Sequence, residues 1–567
     1  MHRRRWTSFA GKFVRIFFVG VLISGLSAEV SEIKWRVGVP QDWTGHHMKF
    51  SRTALRQRPE VASREPRAAF QLYREARAAQ MRVAPTPPRA SLVSAAVNGD
   101  WTVALGAGHV QFGQYPAKWT DNPFAPVTLA NCTSDYVVFG LNVVGSATQA
   151  NLIALNHLYS DPIASALCGT SPTFLFSYNV STSAGGVVQT SPVISLDGKK
   201  IAFIESDPTG GASRTILHVL NVPTSQQGGN PSGAGSPVVP GPGAMTTLII
   251  SNTTTDTRSS PWVDYISDTL YVGSNNGRVY KVTGVFKGTP TLAGAPWPKL
   301  IAANQRLTSP VFDDVTNKLF VGANDARVYS VSADDFSTAL TVLQVGTTTA
   351  LNPGILDAPI VDSTAGTLLA ISSNDSTILN SAVVVQANTS SLTEIKRLSL
   401  GLGSTGGTAV DLYAGDFDNN YFTDPATGHL LLCGTAPATR IPTLYNVSFN
   451  ASAQMTSIAQ SSAVSSNLAA RCGPITEFYN ANIGGGTDFF FFGVTRNCSV
   501  GTGVANGCVM SQRTAGGVTT MIAAPARTGT SGIIPDNDST QPNASSIYFS
   551  NEGAAALSFK LTQQGLN

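Results

Sequence analysis

One short pattern recurs along this chain and constrains its fold more than any other feature. A small residue and a proline precede an apolar pair and an aspartate, and then come a turn, a short apolar strand, a Gly/Asn turn and another strand, as in SPVFDDVTNKLFVGANDARVYSVSA at residues 309–333. Three copies keep a 49-residue spacing at Pro261, Pro310 and Pro359, and again at Asp264, Asp313 and Asp362. Proline is tolerated at the first residue of a strand, and Gly and Asn suit turns with positive φ. The pattern predicts repeated units of short antiparallel strands.

Weaker copies of this unit extend over most of the chain. Eight units begin at Tyr115, Ser191, Ser260, Ser309, Ala358, Asp411, Gly473 and Ser531. A period of about 40 to 50 residues or more, with about four strands in each unit, is typical of a β-propeller. We therefore expect an all-β fold, a β-propeller of about eight four-stranded antiparallel blades, with seven blades as the alternative. A short N-terminal helical segment precedes the blades.

The last unit lacks a strand that a closed ring needs. Its third strand ends near Leu561, and no strand-forming segment follows. The stretch WTVALGAGHVQFG, Trp101 to Gly113, is an extended segment just before the first unit. We expect it to pair with the C-terminal unit, at residues 545–562, and to close the ring.

The N-terminal hundred residues differ in character from the rest. Residues 1–28 combine five basic residues with an 11-residue apolar run and small residues before the end, which is typical of a secretory signal peptide. Residues 29–100 form an extension with a predicted helix over Arg67–Arg82 and a Pro-rich linker, and residues 101–567 form the propeller. We expect the helix to lean on the propeller; binding to an anionic membrane is the alternative. No transmembrane span is expected in the mature chain.

Charge and cysteine content narrow the environment and the partners. Residues 101–567 carry 20 basic and 27 acidic side chains, which argues against nucleic acid as a partner. An even number of cysteines in an exported chain favours disulfides, and CxxC motifs are absent from the sequence. The candidates are Cys132, Cys168, Cys433, Cys472, Cys498 and Cys508. Pairing of sequence neighbours is the simplest arrangement, with Cys498 and Cys508 the best pair. The expected location is secreted, periplasmic or at the cell surface.

The best-preserved units resemble a known repeat. The stretch SSPWVDYISDTLYVGSNNGRVYKV resembles the PQQ-like (quinoprotein-type) β-propeller repeat, and the resemblance is clear over about residues 190–385. The chain is also similar to uncharacterised secreted bacterial β-propeller proteins that carry a stretch like DWTGHH, residues 42–47. Both resemblances imply a propeller fold.

The quinoprotein active site does not follow from that resemblance. Quinoprotein dehydrogenases hold their cofactor over a tryptophan, commonly beside a vicinal disulfide, and coordinate calcium next to a catalytic aspartate. This sequence has no adjacent cysteines, and its tryptophans, among them Trp262 and Trp297, do not recur at one blade position. Bound PQQ is therefore not expected.

The sharpest local motif is GDFDNNYFTD, residues 415–424. Its oxygen-bearing side chains occupy relative positions 1, 3, 5 and 9, at Asp416, Asp418, Asn420 and Asp424. This spacing resembles calcium-binding loops, which supply six to eight oxygen ligands. However, Tyr421 stands where glycine is expected, and Thr427 stands where such loops carry glutamate. The motif predicts a calcium site, and a polar turn whose aspartates cap backbone amides is the alternative that these departures favour.

Two further polar patterns have ordinary structural explanations. Adjacent histidines such as His46 and His47 point to opposite faces of an extended segment, so packing or surface roles are favoured over a shared metal. The aspartates that recur in each unit suit caps of the turn between the first two strands, and a ring of carboxylates at a channel mouth is the alternative.

No sequence motif of an enzyme identifies a reaction. The sequence contains no GxSxG, HExxH or P-loop motif. We expect an exported, non-catalytic binding or scaffolding module with a protein or carbohydrate ligand at a propeller face. The alternative is an enzyme at the channel mouth, a hydrolase, lyase or oxidoreductase acting on sugars or lipids. Clustered Asp, Glu, His and Arg with displaced pKa values would favour the enzyme. The sequence does not predict an oligomeric state.

Overall fold

The computed structural model describes most of the chain beyond its N-terminal hundred residues. The described residues are 38–51, 55, 61, 64–72, 97–121, 131–162, 167–209, 213–226, 234–347, 353–405, 408–480, 486–498, 507–513, 518–521, 529–536, 546–553 and 556–563. The predicted signal peptide, the Pro-rich linker and the second half of the predicted basic helix lie outside them.

The described strands form eight small antiparallel sheets that follow one another along the chain, so the expectation of eight blades is confirmed. Three strands precede the first blade: β1 (Val39–Gln41), β2 (Met48–Lys49) and β3 (Val97–Ala104). In each blade, the strand that comes first in sequence contacts the first strand of at least one neighbouring blade. These first strands therefore surround the centre of the ring.

Blades 1 to 4 are built from consecutive strands. Blade 1 contains β4 (Ala117–Thr120), β5 (Tyr136–Gly140), β6 (Leu152–Asn156) and β7 (Thr173–Tyr178). Blade 2 contains β8 (Val193–Ile194), β9 (Lys200–Asp207), β10 (Arg214–Asn221) and β11 (Met245–Ser251). Blade 3 contains β12 (Trp262–Asp264), β13 (Thr269–Val272), β14 (Arg278–Thr283), β15 (Thr291–Leu292) and β16 (Lys299–Leu300). Blade 4 contains β17 (Val311–Asp313), β18 (Lys318–Gly322), β19 (Arg327–Ser332) and β20 (Leu340–Gln344).

Blades 5 to 8 complete the ring. Blade 5 contains β21 (Ile360–Asp362), β22 (Thr367–Ser372), β23 (Ser381–Asn388) and β24 (Glu394–Leu402). Blade 6 contains β25 (Asp416–Phe417), β26 (His429–Thr435), β27 (Pro442–Phe449) and β28 (Met455–Ala463). Blade 7 contains β29 (Thr476–Asn480), β30 (Thr487–Val494), β31 (Cys508–Arg513) and β32 (Val518–Met521). Blade 8 contains β33 (Ile534–Asp536), β34 (Ser546–Ser550) and β35 (Leu557–Gln563).

The recurring aspartates hold the turn between the first and second strands. Asp264 Oδ1 accepts a hydrogen bond from the Ile266 amide, and Asp362 Oδ1 accepts one from the Thr364 amide, each at 3.0 Å. In blade 4, Thr316 Oγ1 donates to Asp313 Oδ2 at 2.6 Å. These contacts are the turn caps that the repeat predicts.

The ring closes by pairing its two ends. Strand β3 pairs antiparallel with β35 and so supplies the fourth strand of blade 8, as predicted. The strand begins at Val97, earlier than the predicted Trp101, and ends at Ala104 because the chain turns at Gly106, where φ is +70°. Residues 105–113 continue as turns and irregular structure.

The N-terminal extension contributes two more strands, and these lie inside the ring. Strand β1 pairs antiparallel with β4 of blade 1, and β2 pairs parallel with β21 of blade 5. A short helix, α1 (Trp43–His47), joins them. We call residues 38–51 the plug. Division of the chain at residue 100 stays a prediction, and the sheets of blades 1, 5 and 8 take strands from before that residue.

The plug is followed by the first part of the predicted basic helix. Residues 66–72 are helical, and the side chains of Ala68 and Phe70 are buried. Arg67 Nη2 donates to the Val263 carbonyl oxygen of blade 3 at 2.9 Å. This part of the helix therefore packs against the propeller, as expected, and Arg67 is buried rather than exposed to solvent.

Blade 6 carries two further short helices between its first two strands, α2 (Asn419–Thr423) and a 3₁₀ helix (Pro425–Thr427). Among the described residues, no helix has both the length and the apolar character needed to cross a membrane.

All six cysteines are paired as sequence neighbours. Cys132 is bonded to Cys168 within blade 1, and Cys498 is bonded to Cys508 in blade 7. The third bond joins Cys433 in β26 to Cys472, just before β29, and so links blades 6 and 7. This is the pairing that the sequence favours.

Candidate functional site

The first strands of the blades define two mouths of the central channel. Residues just before these strands, such as Arg258, Asp411 and Arg471, form the strand-start mouth. Residues that follow them, such as Tyr265 and Asn419, form the strand-end mouth. Strand β1 runs along blade 1 toward the strand-start mouth, because it is antiparallel to the first strand of that blade. Strand β2 runs along blade 5 toward the strand-end mouth, because it is parallel to the first strand of that blade. The plug thus turns back within the channel.

A cavity of about 120 Å³ lies between the plug and blades 6, 7 and 8, on the side of the strand-end mouth. Its wall carries charged and amide side chains together with aromatic rings, including Gln41, Lys49, Phe70, Tyr265, Asp416, Asn419, Phe422 and Glu477. A larger cavity, of about 260 Å³, lies beside the Cys433–Cys472 bond. We take the smaller one as the candidate site because titratable groups of the plug and of two blades converge there.

An ion pair fixes the plug to blade 6 at this cavity. Lys49 Nζ lies 2.8 Å from Asp416 Oδ1, and both side chains are buried. The Glu477 amide donates to Asp416 Oδ2 at 2.9 Å. Burial alone would raise the pKa of Asp416, but Lys49 and His46 lower it below its ordinary value. Asp416 is therefore an anion whose charge is already balanced by the plug.

The two adjacent histidines are buried in the same region. They lie on α1 and not on an extended segment as expected, because Asp42 caps the helix by accepting a hydrogen bond from the Thr44 amide. His46 Nε2 donates to the Ile475 carbonyl oxygen of blade 7 at 2.5 Å. His47 Nε2 lies 3.3 Å from Asp357 Oδ1 of blade 5. The histidines thus tie α1 to two blades, which agrees with the favoured packing role.

Burial lowers the pKa of His46 to about 4, against the opposing effect of Asp416. Between about pH 6.5 and 4 the unfolded chain binds a proton at this side chain and the folded chain does not, so stability is present above pH 6.5 and lost as the pH falls. We expect the wild type to lose about 3 kcal/mol of unfolding free energy relative to His46→Gln between about pH 7.5 and pH 4. Urea unfolding of both proteins across this range measures the difference. Parallel pH profiles for the two proteins would contradict it.

Glu477 and Asp488 form a coupled pair of acids beside the ion pair. Burial, together with Asp488 and Asp416, raises the pKa of Glu477 well above its ordinary value. Burial raises the pKa of Asp488 to about 6, and the amide of Asn419 donates to Asp488 Oδ1 at 2.8 Å. Burial beside two other carboxyl groups therefore favours the neutral form of Glu477. Within the described residues, Glu477 Oε1 is buried and accepts no hydrogen bond.

Arg67 forms the opposite wall of the cavity. Its Nε donates to Thr44 Oγ1 at 2.6 Å, and its Nη1 lies 2.9 Å from Glu65 Oε1. The guanidinium carbon is 4.3 Å from the centre of the Trp262 ring and 4.8 Å from that of Tyr265. These contacts neutralise the charge of Arg67 and hold the helix over the plug.

The residues of the predicted calcium loop make separate structural contacts. Asp416 pairs with Lys49, and Asp418 caps α2 and accepts hydrogen bonds from the amide and the Nδ1 of His429. Asp424 caps the 3₁₀ helix, and Asn420 is exposed. Among the described residues, no three His, Cys, Asp or Glu side chains are arranged to hold a metal ion. Calcium binding stays a prediction, which unfolding midpoints with EDTA and with added calcium would test.

Sequence reasoning identified some residues of this site and missed others. It singled out Asp416 and the His46–His47 pair, but for calcium binding and for packing respectively. It missed Lys49, Glu477 and Asp488 because they lie in different segments of the chain. The only available signal was that Glu477 and Asp488 lie on the first two strands of one predicted unit.

The chain was compared with protein families, curated proteins and solved structures. No family model and no curated protein matches the chain. Among solved structures, it is similar to BamB from Moraxella catarrhalis at 10% identity and a TM-score of 0.40, covering 83% of this chain and 98% of that one. It is similar to the Dos1 propeller at 11% identity and a TM-score of 0.43, covering 82% and 94%. It is also similar to the dihydro-heme d1 dehydrogenase NirN at 10% identity and a TM-score of 0.38, covering 79% of this chain and 78% of that one.

Proposed function

We propose that this protein is an exported, non-catalytic binding module that holds a small, neutral, polar group in the cavity beside the plug. The observation that carries the proposal is the buried Glu477 side chain, whose Oε1 accepts no hydrogen bond among the described residues and which lines a cavity whose other strong charges are already paired. Lys49 is paired with Asp416 and Arg67 with Glu65. A charged ligand would therefore find no unpaired opposite charge among these groups, whereas a ligand with hydroxyl groups would find donors and acceptors.

The size and lining of the cavity support a sugar ring as the bound group. Cavities for drug-sized ligands span about 300–1,000 Å³, so a cavity of about 120 Å³ suits one small group. Asn419 and Glu477 offer hydrogen bonds, and Phe70, Tyr265 and Phe422 offer apolar surface. Such a combination suits a sugar, which has polar edges and apolar faces. We propose a carbohydrate ligand, and a polar side chain of a protein partner is the alternative.

Two features support export. Three disulfides connect all six cysteines, and disulfides persist in oxidising compartments. Residues 1–28 carry the pattern of a signal peptide. We propose a secreted, periplasmic or cell-surface location.

An enzyme is the second candidate, and one observation favours it. Glu477 and Asp488, whose pKa values are raised, lie beside Asp416 and His46, and a cluster of titratable groups with displaced pKa values is typical of an enzyme site. A carboxylic acid that stays protonated near neutral pH can act as a general acid. However, buried structural networks perturb pKa values in the same way. Here the cluster also fixes the plug, and this is why binding is the preferred proposal.

Replacement of Glu477 separates these two functions. In a binding site Glu477→Gln keeps a neutral donor and acceptor, so we expect affinity for a monosaccharide panel to change less than about threefold. Glu477→Ala removes both groups, and we expect affinity to fall about tenfold. Isothermal titration calorimetry measures both changes. Glu394→Gln, on the outer strand β24, is the matched control.

The same variants test the alternative. Hydrolysis of nitrophenyl glycosides by the wild type, abolished in Glu477→Gln, would establish the enzyme and refute the non-catalytic proposal. Absence of sugar binding by the wild type would also refute the carbohydrate proposal.

A further inference from the structure

Arginines from three blades converge at the strand-start mouth, at the other end of the channel from the candidate site. Arg258 precedes β12, Arg306 precedes β17 and Arg471 precedes β29. Arg258 is close enough to Arg306 and to Asp411 and Tyr413 of blade 6 for their charges to influence its pKa. Tyr413 packs edge-on against Phe112 with ring centres 5.1 Å apart. The mouth is thus lined by cationic and aromatic side chains from opposite blades.

One of these arginines is fully engaged. Arg471 Nη1 lies 2.7 Å from Asp411 Oδ2, and its guanidinium carbon is 4.6 Å from the centre of the Phe112 ring. Asp411 is therefore committed to Arg471 and does not form an ion pair with Arg258.

Arg258 lacks such a partner. Its Nη1 is buried, and within the described part of the chain its guanidinium forms no hydrogen bond and no ion pair. Its backbone, by contrast, is well fixed, since Asp256 Oδ1 accepts a hydrogen bond from its amide at 3.1 Å. Burial, and then the nearby Arg306, lower the pKa of Arg258 to about 10, so the side chain remains charged at neutral pH. Arg258 as a whole is partly exposed, but burying part of a cation without a counter-charge still costs free energy.

The other acids near this mouth do not supply the missing charge. Asp357 lies against His47 and accepts a hydrogen bond from the Ala414 amide at 2.9 Å. Burial raises the pKa of Glu552 to about 8, so this side chain is mostly neutral at pH 7. Burial likewise raises the pKa of Asp256 to about 8.

We propose that the strand-start mouth binds a small oxyanion, a carboxylate or a phosphate, through Arg258 with Arg306 as its second cation. The planar guanidinium of arginine matches the geometry of both anions and binds them through two parallel hydrogen bonds. The bound anion supplies the counter-charge that Arg258 lacks. This site is independent of the proposed carbohydrate site, because the two lie at opposite mouths and share no residue.

Anion-dependent unfolding tests the proposal in the full-length mature protein. Thermal midpoints are measured in sodium phosphate and in sodium acetate, each against sodium chloride at the same ionic strength. We expect phosphate or acetate to raise the wild-type midpoint, because a ligand that binds only the folded state stabilises it. The anion that raises the midpoint shows whether the site prefers a phosphate or a carboxylate. Arg258→Met should weaken binding of that anion at least about tenfold in calorimetric titrations.

Two further variants make the result specific. Arg306→Met should also weaken binding of the anion, and it provides the test if Arg258→Met does not fold. Arg327→Met removes an arginine that pairs with Asp325 in blade 4, and it should leave anion binding unchanged. In chloride alone, Arg258→Met should unfold at the wild-type midpoint or above it, because an unpaired buried charge has been removed. A wild type indifferent to both anions, or a shift that persists in Arg258→Met, would overturn the proposal.

Discussion

Replacing Asp100 by alanine should lower the free energy of unfolding by about 3–5 kcal/mol, the cost of leaving one partner of a buried ion pair without the other. Asp100 lies on the closing strand β3, and its Oδ2 contacts Lys560 Nζ on β35. Both side chains are buried, and Thr562 Oγ1 donates to the same carboxylate oxygen. The variant leaves the ammonium group of Lys560 buried at the seam that closes the ring. Urea unfolding at pH 7 measures the loss.

A paired substitution provides the control for this prediction. Asp100→Leu combined with Lys560→Met replaces both charged groups by apolar side chains, so it should recover most of the lost stability, as replacements of other buried ion pairs by apolar residues have done. If Asp100→Ala costs less than about 1 kcal/mol, the pair does not hold the closing strand and the seam depends on backbone pairing alone. A loss of this size matters because net stabilities of proteins are only about 5–15 kcal/mol.

Replacing Trp43 by alanine should destabilise the protein by about 3–5 kcal/mol and loosen the plug. The Trp43 side chain is 2% exposed and packs edge-on against Trp262 with ring centres 5.6 Å apart. Its Nε1 donates to the Pro261 carbonyl oxygen of blade 3 at 3.1 Å. The variant removes the largest apolar contact of α1 with the ring. We expect hydrogen exchange within residues 38–51 to accelerate, and sugar binding to fall because the plug forms one wall of the cavity.

The matched control is Trp297→Ala. Trp297 is also buried but packs in blade 3 against Tyr271, away from the plug. It should lower stability by a comparable amount without changing hydrogen exchange of the plug. Equal acceleration in both variants would show that the plug responds to global stability and not to its own contact with Trp262.

The architecture follows from local features of the sequence. The 49-residue spacing of Pro261, Pro310 and Pro359 predicted the blades, because each unit pairs its own strands through short turns that local residues specify. The last unit has only three strands of its own, and the segment at Trp101 was predicted to supply the fourth strand that closes the ring. Cysteine count and order predicted the observed pairing. These features depend on contacts that are local, or that follow from the repeat.

The positions at which the functional groups meet depend instead on long-range contacts. His46 contacts Ile475, 429 residues away in sequence, and Lys49 pairs with Asp416 because the plug turns back inside the ring. Sequence reasoning placed the N-terminal extension outside the ring as an appendage. Nothing in the local pattern of the extension shows that β1 and β2 pair with the first strands of blades 1 and 5. The surroundings of the charged groups were equally hidden from sequence reasoning: burial and neighbours from distant segments raise the pKa of Glu477, and Arg258 has no counter-charge among the described residues. A repeat specifies how a blade folds, whereas the site depends on which blades the closed ring brings face to face.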